Sequence, residues 1–143
     1  ARPLTHERLF RLKVDYLVPA ATGHVITKKN AGEVGARVIV EGANMPVTYD
    51  AMQILKRRGV EILPDVYANS GGVIASNIEY RQALGGVRFT KEMTFAHIRE
   101  RFDAMYEAMA PIMKKGRTMT EASVDIALSR VHQTMLERGL LSR

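Results

Sequence analysis

Three stretches of this 143-residue sequence pass from a short apolar run into proline, glycine, alanine and asparagine: LVPAATG (17–23), VIVEGAN (38–44) and ILPDVYANSGGV (62–73). Small residues let the flat face or the phosphate of a ligand come close to the backbone, and asparagine offers a donor and an acceptor at fixed geometry. Asn44 and Asn69 therefore suit an amide-bearing ligand, and both equally suit turns, where asparagine is common. Ser70-Gly71-Gly72 opens a helical pattern running to about Leu84, which aims free backbone amides and the positive end of the helix dipole at the same place. Asn69, Val73, Ser76 and Tyr80 step by 4, 3 and 4 along one side of that helix. A hydroxyl beside an apolar patch fits a small substrate with a carboxylate and a hydrocarbon part, while a serine bonded back to its own helix is the plainer reading of Ser76.

Other chemistries find little support. Glu41 and Glu79 have no second titratable group at local spacing and read as structural carboxylates that cap a turn or pair with a neighbour. His6, His24, His97 and His132 stand far apart, without metal-ligand spacing, and there is no cysteine, so no metal site is expected. The sequence holds no G-x-G-x-x-G loop after a strand, no Walker loop and no Ser-His-Asp order.

The elements that must position these residues fall into two rhythms. Strand patterns at 16–18, 37–40 and 60–63 are each followed by a loop and a helix-like stretch, which predicts an α/β fold: a parallel sheet with crossover helices over residues 1–90. In such a sheet ligands sit outside the carboxyl ends of the strands, where the three loops would form one rim. Thr48 can cap a helix that turns Ala51, Met52, Ile54 and Leu55 inward and is closed by Gly59. From 91 to 143 the pattern is all helical: Phe95, Ile98, Phe102, Met105, Met109 and Ile112 step by 3, 4, 3, 4 and 3, with Pro111 expected to end or kink the helix. A last helix carries a Thr118/Glu121 capping box, an apolar stripe at Val124, Leu128, Val131 and Met135, and Gly139 at its end.

Composition agrees with an ordinary globular chain, 46% hydrophobic and 25% charged. Apolar runs of a few residues fall far short of the ~20 needed for a membrane-spanning helix, and nothing near Arg2 resembles a signal peptide, so a cytoplasmic location is expected. The net charge of +6 comes from doublets and triplets such as Lys28-Lys29, Lys56-Arg57-Arg58 and Lys114-Lys115. They are scattered and carry no interleaved aromatics, the pattern of a solvated surface rather than of a nucleic-acid face.

DYLVPAA (15–21), Ile26-Thr27, VEGANMP (40–46), Arg58-Gly59, PDVYANSGGV (64–73), Ser76, Glu79-Tyr80 and the final TEASVDIALSRVHQTMLERG helix resemble, in order and spacing, the C-terminal half of the glutamate dehydrogenases and the wider Glu/Leu/Phe/Val dehydrogenase family. The resemblance implies a partial Rossmann-like sheet with a helical tail. It implies a portion of an enzyme that uses NAD or NADP to deaminate an L-amino acid, glutamate above all, to the 2-oxo acid and ammonia. By position, Asn44 would bond the ribose side of the cofactor and Asn69 would approach its nicotinamide end. Ala20, Ala21 and Gly42 would let the cofactor lie against the strand ends, and Val73 and Ser76 would face the substrate side chain, Ser76 bonding a distal carboxylate.

The same resemblance places the family's catalytic lysine and aspartate upstream of residue 1. No catalytic residue is then expected in this chain, and the chain alone is expected to be inactive. Its partners would be the N-terminal portion of the enzyme, the amino acid and 2-oxo acid, and further copies in a homo-oligomer, a hexamer as in the family. The first strand would present an apolar edge suited to pairing with that missing half. A rival reading from the residues themselves is a non-catalytic dinucleotide-binding or oligomerisation module.

Overall fold

Branching at Cβ drives valine and isoleucine toward extended backbone, and the apolar runs of the first half form three short strands, β1 (Tyr16–Leu17), β2 (Val38–Val40) and β3 (Glu61–Leu63). In the computed structural model, which describes residues 3–85 and 88–141, they make a parallel sheet in the order β1-β2-β3. Leu17 lies opposite Ile39, and Val40 opposite Leu63. This register brings the three carboxyl ends level, so the chain leaves the sheet on one side three times. Among the described residues β1 and β3 are the edge strands, and at β1 Tyr16 and the following Val18 are exposed.

The described residues fall into two compact units, Ala1–Arg88 and Phe89–Arg143. The first opens with a short helix, α1 (His6–Phe10). Its core gathers Ile26, Val34, Ile39, Val47, Ala51 and Leu55, all fully or almost fully buried. The sheet contributes one of these, and α2 (Tyr49–Arg57) contributes two. Met52 and Ile54 pack on the margin of the same cluster, so the inward face expected of this helix is the one observed. Gly59 follows α2 with φ +72, the left-handed conformation that lets the chain reverse directly into β3. The Arg58 guanidinium reaches back to donate to the carbonyls of Ala31 and Val34 at 2.7 and 2.8 Å.

Three local expectations are corrected. A crossover helix links β2 to β3, but the passage from β1 to β2 holds only a 3₁₀ turn, Ala31–Glu33, because Gly23, Gly32 and Gly35 interrupt it and glycine weakens any helix there. Thr48 occupies the position before α2 without a side-chain cap bond; its backbone N–H instead donates to Ile26 O at 2.9 Å. A four-residue helix, α3 (Asp65–Ala68), occupies what the sequence reads as loop and runs into α4 (Ser70–Ala83).

The second unit consists of α5 (Lys91–Met113) and α6 (Met119–Glu137). Pro111 lies inside α5 rather than ending it. It falls in the last turn, where its missing N–H removes a single helical bond. The capping box of α6 is complete: Thr118 Oγ1 accepts from Glu121 N at 3.2 Å and Glu121 Oε2 accepts from Thr118 N at 2.8 Å. The apolar stripe of α6 is largely open, with Val124, Leu128 and Val131 exposed by 50, 63 and 57% and Met135 half-buried. The residues α6 buries, Met119 and Ala122, project from the opposite side at about 100° per residue.

Candidate functional site

Level strand ends place the three loops side by side, and backbone bonds register them: Ala43 N donates to Pro19 O at 2.9 Å and Glu41 N donates to Leu63 O at 3.0 Å. Gly42 sits where β2 gives way to its loop. A Cβ on it would lie 2.9 Å from the Cβ of Ala20 and 3.5 Å from Val18 Cγ1, so the first two loops touch only because one residue has no side chain and the other a single methyl. Ala20 and Ala21 themselves are exposed. The floor of the rim is thus bare backbone and methyl groups, the surface against which a flat or phosphate-bearing ligand can rest.

Asn44 and Asn69, 25 residues apart in sequence, meet: Asn69 Nδ2 donates to Asn44 Oδ1 at 2.8 Å. Asn69 stands at the N-terminal boundary of α4 yet makes no cap with its side chain, so the turn-forming reading does not account for it. Its Nδ2 also lies 3.5 Å from Gly42 O, which fixes the amide orientation, since an oxygen would face a carbonyl there. The pairing leaves Asn44 Nδ2, a donor, and Asn69 Oδ1, an acceptor, outside that bond. The expected open helix end is different in form. Asn69 N donates to Asp65 O and Gly72 N to Asn69 O, so α3 supplies carbonyls to amides that would otherwise face the rim.

Two carboxylates tie the second and third loops together. Glu41, 1% exposed, accepts the Asp65 N–H on Oε2 at 2.9 Å, and its Oε1 is buried without a hydrogen-bond partner. Burial raises the Glu41 carboxyl above its ordinary value and the nearby Asp65 carboxylate adds to the rise, against the pull of the Asp65 and Val47 amides. Asp65 accepts from Met45 N at 2.8 Å and, on its other oxygen, from Val66 N at 2.7 Å. Met45 and His24 hold φ of 46° and 56°, the left-handed region uncommon outside glycine, and His24 N donates to Met45 O at 2.8 Å.

Glu41 is thus a turn-capping carboxylate, as its sequence setting suggests. Asp65 escaped sequence reasoning; its signal was the pair Pro64-Asp65 directly after a strand, where an acid falls in the first turn of a helix. Val73 and Ser76 lie exposed on α4, at steps of four and three from Asn69. No group of three or more His, Cys, Asp or Glu among the described residues is placed to hold a metal ion, and none of the described helices is long and apolar enough to cross a membrane.

Comparison with known proteins decides the family. The model of the Glutamate/Leucine/Phenylalanine/Valine dehydrogenases matches residues 1–139. The chain belongs to this family. Within it, the chain is similar to the NADP-specific glutamate dehydrogenase of Saccharolobus shibatae, at 36% identity over 98% of this chain and 34% of that protein. It is similar also to the NAD-specific glutamate dehydrogenase A of Halobacterium salinarum, at 37% identity over 96% of this chain and 32% of that one. Among solved structures, the hetero-hexameric glutamate dehydrogenase of Thermus thermophilus in its leucine-bound form superposes with a TM-score of 0.88 at 26% identity, over 97% of this chain and 34% of that one. The glutamate dehydrogenase of Peptoniphilus asaccharolyticus does so at 0.72 and 30%, over 87% and 32%. The chain therefore spans about a third of the length of these Glu/Leu/Phe/Val dehydrogenases. The three-stranded parallel sheet and helical second unit are the family's fold over that third.

Proposed function

We propose that this chain is the C-terminal portion of an NAD(P)-dependent amino-acid dehydrogenase acting on glutamate, with its rim contributing the cofactor and substrate contacts. The overall reaction converts an L-amino acid, water and NAD(P)⁺ into the 2-oxo acid, ammonia, NAD(P)H and a proton; the dinucleotide, when bound, supplies the hydride acceptor. The observation that carries the reading is the Asn44–Asn69 bond beside the Gly42/Ala20 floor. It sets one amide donor and one amide acceptor over a surface shaped for close approach. In this reading Asn44 binds the ribose side, Asn69 the nicotinamide end, and Ala20, Ala21 and Gly42 keep the floor low. Val73 packs on the substrate's hydrocarbon part, and the Ser76 hydroxyl donates to its distal carboxylate. The printed specificities of the relatives, one for NADP and one for NAD, support the cofactor class.

Proton transfer needs a group within about 3 Å of the proton it moves. The catalytic lysine and aspartate belong, in this reading, to an N-terminal portion that completes the enzyme in a cytoplasmic hexamer of identical chains. The 143 residues alone are accordingly inactive. The exposed stripe of α6 favours a contact role for the second unit, which by itself would make the chain an interaction module. Calorimetric titration of the complete natural chain with NADH and NADPH separates the two readings. Asn44→Ala and Asn69→Ala each weaken binding about tenfold under the dehydrogenase reading, the upper range of what one lost hydrogen bond is worth. Unchanged affinity in both variants, or turnover by the 143 residues alone, overturns the respective part.

A further inference from the structure

The side-chain and backbone bonds of the rim form one continuous series: Glu41 Oε2 takes the Asp65 N–H, Asp65 Oδ2 takes the Met45 N–H, and Met45 O takes the His24 N–H. It crosses from the third loop to the second and on to the first. Asp65 is its centre, and both asparagines are one step from it. Met45, whose amide Asp65 holds, is the residue after Asn44, so the peptide unit joining the two is tied to Asp65. Asn69 N–H is bonded to Asp65 O at 3.0 Å, so the start of α3 also fixes where Asn69 stands.

We infer that Glu41 and Asp65 are positioning residues for the dinucleotide, acting on it through the Asn44–Asn69 pair. Glu41 is too deeply buried to reach a ligand, and Asp65 spends both of its oxygens on backbone amides. Here each carboxylate accepts an amide from the other's loop, despite the repulsion of two like charges side by side. The reciprocal exchange fixes the spacing between the loops from both sides, and that spacing is the distance across which the asparagines meet. A shift of about an ångström in such a frame is enough to misplace a reactive ligand.

The inference rests on the dinucleotide reading above, and the test separates their failures. In the complete natural chain, Glu41→Ala and Asp65→Ala are expected to raise the dissociation constant for NADH or NADPH by about tenfold or more while the KM for the amino acid stays within about twofold. Glu41→Gln is expected to restore cofactor affinity to within about threefold of the parent, because its amide oxygen still accepts the Asp65 N–H. Circular dichroism confirms folding of each variant. If Glu41→Ala does not fold, Asp65→Ala and Asp65→Asn carry the same comparison, the asparagine oxygen replacing the carboxylate at Met45 N. Unchanged cofactor affinity in a folded alanine variant overturns the inference, as does parallel loss of both ligands or failure of the amide variants to rescue. A parent chain that binds neither NADH nor NADPH overturns the dinucleotide reading first and this inference with it.

Discussion

The two units use apolar residues in opposite ways. In Ala1–Arg88 they converge: residues from β2, α2 and the connections between strands share one buried cluster, and the short elements that supply it lean on one another. In Phe89–Arg143 the elements are long, but Phe95, Val124, Leu128 and Val131 face solvent, and among the described residues only Met109, Met119 and Ala122 are buried. The contrast teaches that length of helix is no measure of core. The short strands are held within a closed cluster, whereas α5 and α6 half-bury Ile98, Phe102, Met105 and Ile112 and leave much of the α6 stripe open.

The sharpest way to break this comparison is to delete one leucine from each unit. Leu55→Ala, at a fully buried position, is expected to cost about 2–5 kcal/mol, while Leu128→Ala at an exposed one stays within about 0.5 kcal/mol. Urea unfolding of the two variants against the parent reads both, and equal losses would show that the second unit has a core of its own. Next in size is Gly42→Val. The added side chain meets Ala20 at a separation real Cβ atoms do not tolerate, and overpacking of this kind costs about 1–3 kcal/mol. Thermal unfolding measures it, and pairing it with Ala20→Gly is expected to recover part of the loss.

In the second unit, Thr118→Ala removes one arm of the capping box at an expected cost of about 1 kcal/mol. Helical circular dichroism on heating is the readout, with the effect concentrated in α6. The finest test concerns Glu41. Its carboxyl is raised in the folded state from an ordinary value of 4.5, by burial first, so the folded chain holds this proton more tightly than the unfolded one. The stability it contributes is fully present below pH 4.5 and fades as pH rises through the raised value. Glu41→Gln does not titrate, so its melting temperature relative to the parent should climb from pH 4 to pH 7. A flat difference would mean that Glu41 keeps its unfolded affinity for the proton.

What could be read from the sequence followed from local rules. The positions of the three strands, the start of α4 at Ser70 and the Thr118/Glu121 box depend on neighbours within four or five residues, and all are found. The missing helix between β1 and β2 was already announced by its glycines, which the strand-loop-helix rhythm overrode. The exposure of the α6 stripe was not legible, because periodicity shows which face is apolar and not whether anything covers it. In the site, the small residues and the two asparagines were legible as types suited to a ligand. Their meeting was not, nor was the role of Asp65, because those bonds join residues 20 to 25 apart. Such contacts exist only once the register of the sheet has been chosen.

His24 and Met45 hold backbone conformations that most side chains resist, at about 1 kcal/mol or more each in a free peptide. A loop that had to find those conformations on meeting its ligand would lose that much affinity, together with the entropy of ordering. Because the two residues are bonded to each other and Met45 is bonded to Asp65, the strain and the ordering are settled when the chain folds. Under the proposed function, the rim would meet its ligand as a preorganised surface, and the free energy of each new contact would go into affinity and not into shaping the loops.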